Sequence, residues 1–213
     1  MTRSAATPLD DTDRRHVRLA VWLMLAAAVV ALLGIFGFGG LTGAGDYFDE
    51  DPAVSEAAVR DHYWQIWGIL LPIGAAVLAS GAGLFLLAGV LARIGSGWPA
   101  GVARVVRWLV LPLCVLAAVP YLLGPGTTAP GWLGPLTAIS GMASYAATAT
   151  LGVAVLRLPL PSWTGVALIV GVVLAAVSFL PLFVFVGTLV GGLGLLRWHA
   201  RNAALPSMPR AGA

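Results

Sequence analysis

Five long apolar runs, separated by short segments rich in glycine, proline and arginine, occupy most of this chain: 19–38, 64–91, 105–123, 132–156 and 163–196. A helix rises about 1.5 Å per residue, so about 20 apolar residues match a hydrocarbon core about 30 Å thick. Runs of that length leave little chain for a water-soluble core. The composition agrees: 59% of the 213 residues are apolar and 10% charged, against about 45–50% and about 25% in soluble domains. With a mean hydropathy of +0.93, the chain reads as an all-α integral membrane protein. A cytosolic enzyme and a disulfide-stapled secreted module are excluded. So is a nucleic-acid partner, despite the pI of 9.6.

Charge usage narrows the chemistry. All 12 basic residues are arginine, and the last of the 9 acidic residues is Asp61, which leaves 62–213 without a carboxylate side chain. Proton and sodium relays place Asp, Glu or His within the membrane, and metal centres need His, Cys or carboxylate ligands. His16, His62 and His199 all lie outside the apolar runs, so the spans lack the ligands of a buried metal or proton site and no cofactor is implied. Cys114 sits in Leu111-Pro112-Leu113-Cys114-Val115, where a free thiol behaves as a small hydrophobe. Absence of lysine with heavy use of Ala, Gly, Val and Arg fits a GC-rich bacterial genome.

Residues 1–16 form a polar tail ending in Arg14 and Arg15, a pair that imitates a twin-arginine signal. The apolar run that follows, about 20 residues, exceeds the about 7–15 of a signal-peptide core, so it reads as an uncleaved first span. Residues 39–63 form an acidic hydrophilic loop in which 54–63 predicts a short surface helix, with Ser55 as its cap. The second run is about 42 Å long as a helix and needs tilt or a kink at Pro72. The stretch Trp163–Leu196 would be about 51 Å long, too much for one crossing. Proline disfavours helix at the residue before it, so Ser178-Phe179-Leu180-Pro181 divides that stretch into spans at 163–179 and 182–198. A re-entrant hairpin is the rival, although non-helical backbone at membrane depth must be shielded.

Six crossings also satisfy the positive-inside rule. With an inner amino terminus, Arg3, Arg14, Arg15, Arg18, Arg93, Arg104, Arg107, Arg157, Arg197, Arg201 and Arg210 fall on the cytoplasmic side, and only Arg60 faces out. The expectation is a bundle of about six transmembrane helices over 17–199 in a bacterial cytoplasmic membrane. Both termini are cytoplasmic, and 200–213 forms a second tail. Trp22, Trp108, Trp163 and Trp198 near inner ends, with Trp64 and Trp132 near outer ends, suit interfacial belts.

The fourth span is the most polar, with Thr137, Ser140, Ser144, Tyr145, Thr148 and Thr150. Ser140, Ser144, Thr148 and Gly152 recur every four residues and form one small-residue stripe, suited to close helix packing or to a solute path. Similar stripes occur at Ala75, Ala79 and Gly83, at Ala167, Gly171 and Ala175, and at Gly187 and Gly191. Arg104 and Arg107 share a helix face that can contact anionic lipid head groups, or anchor topology by snorkelling. Asp46, Asp49, Glu50 and Asp51 form an outer cluster able to attract a cation, without EF-hand spacing. Asp61 and His62 place an acid beside an imidazole, but neighbours in sequence do not face each other on a helix.

No phosphate loop, zinc-protease motif or haem-ligand pair occurs. The leading expectation is therefore a non-enzymatic auxiliary or scaffold component of a membrane assembly, whose partners are the lipid bilayer and a membrane protein or second copy. A small transporter or channel for a neutral or weakly polar solute is the alternative, and an outer-surface membrane enzyme the third.

Overall fold

The computed structural model describes residues 10–42, 57, 59–124, 132–158, 160–178 and 182–203, and every regular element among them is helical. Helix α1 (Asp11–Leu32) continues through a π-helical turn, Leu33–Phe38, into a last α-turn, Gly39–Thr42. It is followed by α2 (Tyr63–Ile94), α3 (Trp98–Leu123), α4 (Leu133–Leu156), α5 (Ser162–Ser178) and α6 (Leu182–Ala203). Among the described residues four stretches are long and apolar enough to cross a membrane: Asp11–Leu41, Tyr63–Ile94, Trp98–Leu123 and Leu133–Leu156. Ser162–Val177 and Leu182–Trp198 are shorter apolar helices.

Local chemistry sets several helix ends beyond the apolar boundaries. Asp10 caps α1 by accepting from the Asp13 backbone N–H at 2.6 Å, and Asp11 and Asp13 place negative charge at the positive end of the helix dipole. The helix thus begins ahead of the apolar run at 19. Likewise α3 starts at Trp98 rather than near 105. Pro99 tolerates the first turn because that turn's N–H groups have no intrahelical acceptor, and Gly97 before it adopts φ 66°, a left-handed conformation that suits glycine. Residues 57 and 59–61 are helical, His62 is a turn, and the acidic cluster 46–51 and Ser55 lie outside the described residues. Helix α5 ends at Ser178 and α6 begins at Leu182, on either side of the expected division.

The six helices close into an antiparallel ring: each packs on the next, and α6 returns to α1, with α2 also meeting α4. Glycines carry most of the close approaches. A Cβ on Gly83 would lie 3.0 Å from the Ala20 carbonyl oxygen of α1, and one on Gly81 would lie 2.6 Å from the Cys114 Cβ of α3. Gly152 and Gly165 bring α4 against α5, where added Cβ atoms would meet each other's carbonyl oxygens at 2.9 and 2.6 Å. Gly171 and Gly187 do the same for α5 and α6. Lipid tails are as apolar as leucine, so in a bilayer such contacts hold helices together by dispersion rather than by exclusion of water. Helix α2 runs on through Pro72, whose ring fills the space that Gly34 leaves in the π-turn of α1.

One end of the ring carries the start of α1, the end of α6 and the α2–α3 turn, and is called the terminal end below. There Asp13, only 7% exposed, accepts from Arg93 Nε at 2.8 Å and from Arg93 Nη2. The same Nη2 lies 3.3 Å from His16 Nδ1, so three side chains tie α1 to α2. Val17, Leu87, Leu91, Ala103, Leu151, Val155 and Leu195 form a dense core behind them. Large apolar side chains elsewhere point away from the ring, among them Leu33, Val105, Leu109, Ile139, Val173 and Leu193. This outer surface is compatible with a membrane protein.

Candidate functional site

Packing differs between the two halves of the ring. At the terminal end the void beside Val17, Leu91, Leu195 and Trp198 is only about 10 Å³. In the opposite half, α2, α3, α4 and α6 line an open-sided cavity of about 300 Å³. That volume lies at the lower limit of small-molecule pockets, about 300–1,000 Å³. Leu84 belongs both to its lining and to the dense core, so the core forms its floor. The exposed Met142 stands at its rim.

Helix α4 supplies the polar wall. Thr137, Ser144, Tyr145 and Thr148 line the cavity, joined by Gly141. Ser140 shares the stripe but is buried outside the lining, its hydroxyl donating to the Leu136 carbonyl at 2.8 Å. Thr137 donates to Gly134 O at 2.8 Å, Ser144 to Gly141 O at 2.7 Å and Thr148 to Ser144 O at 2.8 Å. Their protons are thereby committed to their own helix, which leaves hydroxyl lone pairs to accept from a guest. Tyr121 of α3 and Tyr145 bring donors, since neither phenol is hydrogen-bonded to a described residue. Ile73, Val77, Leu84 and Phe185 complete an apolar wall, and no charged side chain among the described residues lines the cavity.

Among the lining residues that were not anticipated, Ser80, Tyr121 and Cys114 are the ones that carry a hydroxyl, phenol or thiol. Ser80 is the lone hydroxyl of the second apolar run, a signal present in the sequence. Its meaning depends on which face of α2 meets α4. Small residues at Gly81 and Cys114 let α2 and α3 approach closely, and this brings Ser80 and Tyr121 to the same space.

The other candidates among the described residues do not line the cavity. Arg104 is exposed and Arg107 half-buried on α3 toward the terminal end. The guanidinium of Arg107 lies 4.9 Å from the Phe85 ring centroid and 5.6 Å from that of Trp108. Asp46, Asp49, Glu50 and Asp51 lie outside the described residues. His62 Nδ1 is 2.7 Å from Gln65 Oε1, a helix-start contact, while Asp61 is exposed. Among the described residues no group of three His, Cys, Asp or Glu side chains is placed to hold a metal ion.

The fold and site together describe a helical bundle, compatible with a membrane protein, with a hydroxyl-walled cavity that no charged side chain lines among the described residues. Comparison with protein-family models, with curated proteins and with solved structures found no match.

Proposed function

We propose that this protein is a small transporter that takes a neutral, weakly polar solute into the cavity between α2, α3, α4 and α6. The observation that carries this reading is the cavity itself, uncharged among the described residues, with phenol donors and hydroxyl acceptors beside the apolar side chains Ile73, Val77, Leu84 and Phe185. A charged guest would lose its hydration without gaining a counter-charge, whereas a neutral one with a single polar group exchanges water for these partners. The dense core beneath the cavity argues against a continuous pore in this conformation. Release on the other side then requires the helices to rearrange.

The reading includes six crossings with both termini cytoplasmic. Support comes from the antiparallel ring, which gathers Arg14, Arg15, Arg18, Arg93, Arg104, Arg107, Arg157, Arg197 and Arg201 toward the terminal end, the pattern of cytoplasmic faces in a bacterial inner membrane. Helices α5 and α6 are about 25 and 33 Å long, more than the half-depth of a re-entrant hairpin. The auxiliary-component reading has less support, because Gly83, Gly152, Gly171 and Gly187 meet partners within the chain and are not free to dock another.

Osmotic swelling of proteoliposomes in glycerol, urea and small alcohols tests the proposal. Swelling should exceed that of protein-free vesicles for at least one solute, and Ser144→Leu, which fills the cavity, should lower it by about ten-fold or more. Thr148→Val should lower it less. Thr150→Val is the control, since that hydroxyl bonds Ala146 O on an exposed face at 2.6 Å. Swelling equal to that of protein-free vesicles for every solute, or unchanged by Ser144→Leu, would overturn the reading.

A further inference from the structure

Arg107 is a half-buried cation with no carboxylate in ion-pair contact among the described residues. Its Nε is buried without a hydrogen-bond partner among the described residues, and its stem lies across Gly89 of α2, where an added Cβ would come within 3.3 Å of that nitrogen. No carboxylate side chain follows Asp61 in the sequence. Near the terminal end, Asp13 already holds Arg93 and Asp11 lies 3.8 Å from Arg14. Arg107 is also about 14 Å along α3 from Trp98, too deep for its backbone to lie in bulk water if α3 crosses the bilayer. The Phe85 and Trp108 ring faces offset part of the charge, but ring quadrupoles do not supply the anionic oxygens that a guanidinium fork accommodates.

We propose that Arg107 and Arg104 bind the phosphate of an anionic phospholipid in the leaflet at the terminal end. Arg104 lies one helical turn toward that end and is exposed, so the two guanidiniums flank one site with Arg107 the deeper. Val105, Leu109 and the 68%-exposed Trp108 provide apolar surface beside it for an acyl chain. An anionic headgroup is favoured over a zwitterionic one, because choline would return a positive charge to a site that already carries two. The pair is separate from the solute cavity, whose lining includes neither arginine.

The test uses the full chain in vesicles of phosphatidylcholine and phosphatidylglycerol in equal parts, with bromine on the acyl chains of one lipid at a time. Tryptophan quenching reports which lipid sits beside Trp108, and Trp108→Phe identifies that share of the signal. Brominated phosphatidylglycerol should quench that share more strongly, and Arg107→Gln should reduce the preference about five-fold. Arg107→Lys should keep part of it, because it restores charge without the fork. If Arg107→Gln does not reconstitute, Arg104→Gln, an exposed change, should still weaken the preference. Equal quenching by the two lipids in the unaltered protein, or a preference unchanged in Arg107→Gln, overturns the proposal. Loss of the preference on adding millimolar inorganic phosphate assigns the site to free phosphate and likewise overturns the lipid assignment.

Discussion

Replacing Gly171 with alanine would put a methyl group 2.7 Å from the Phe183 carbonyl oxygen and 2.9 Å from the Gly187 Cα, both backbone atoms of α6. Neither can swing aside as a side chain would. Ordinary contact begins near 3.4 Å, so the helices must part by about 0.7 Å, which loosens other α5–α6 contacts along their length and costs about 1–3 kcal/mol. Alanine also improves helix propensity by about 0.8–1.0 kcal/mol over glycine, which would mask part of the clash. Gly141→Ala is the control: it is mid-helix, and nothing lies within 4 Å of an added Cβ. Propensity cancels between the two variants, so Gly171→Ala should be less stable than Gly141→Ala by about 1–3 kcal/mol. Reversible unfolding in mixed detergent micelles, followed by circular dichroism, measures that difference. Equal stability, or a more stable Gly171→Ala, would refute the close backbone approach of α5 and α6.

Three further outcomes are expected. A double-mutant cycle on Asp13→Asn and Arg93→Gln should give a coupling of about 1–2 kcal/mol, below the value for a fully buried pair because Arg93 is 44% exposed. Coupling near zero would mean that the ion pair does not tie α1 to α2. With Cys114→Ser as background, Leu180→Cys should react with a membrane-impermeant maleimide from the side opposite the termini, and labelling only from the termini's side would establish re-entry. Gly83→Leu, whose Cβ starts 3.0 Å from Ala20 O, should destabilise the chain by about 1–3 kcal/mol in the same micelle assay, and a stability equal to the parent would displace α1 from that contact.

Much of the helical layout was legible in the sequence. Helices α3 and α4 end at Leu123 and Leu156, where Gly124 and Arg157 interrupt the apolar pattern, and α6 starts at Leu182, just after Pro181 in the sequence. The starts of α1 and α3 were placed late, because caps at Asp10 and Gly97 act outside the apolar run and arginines there mask a helix that continues. The polar face of the fourth span was readable from hydroxyl spacing, but spacing does not distinguish Ser140, turned into packing, from Ser144, turned to the cavity. Asp13 read as part of a tail. Its bond to Arg93 joins residues at opposite ends of two helices, and no local pattern announces it.

Hydropathy and charge add residue by residue along a chain, and on that basis the sequence alone determined the helical class, the approximate extent of the apolar helices and the gathering of arginine near their ends. Tertiary structure decided which helices are neighbours, that α6 closes on α1, and that Ser80 and Tyr121 join the α4 hydroxyls around one cavity. The physical reason is that a small-residue stripe specifies how closely a helix can be approached, but not by which helix. That choice depends on the heights and rotations of all six helices together, a property of the packed ring rather than of any segment.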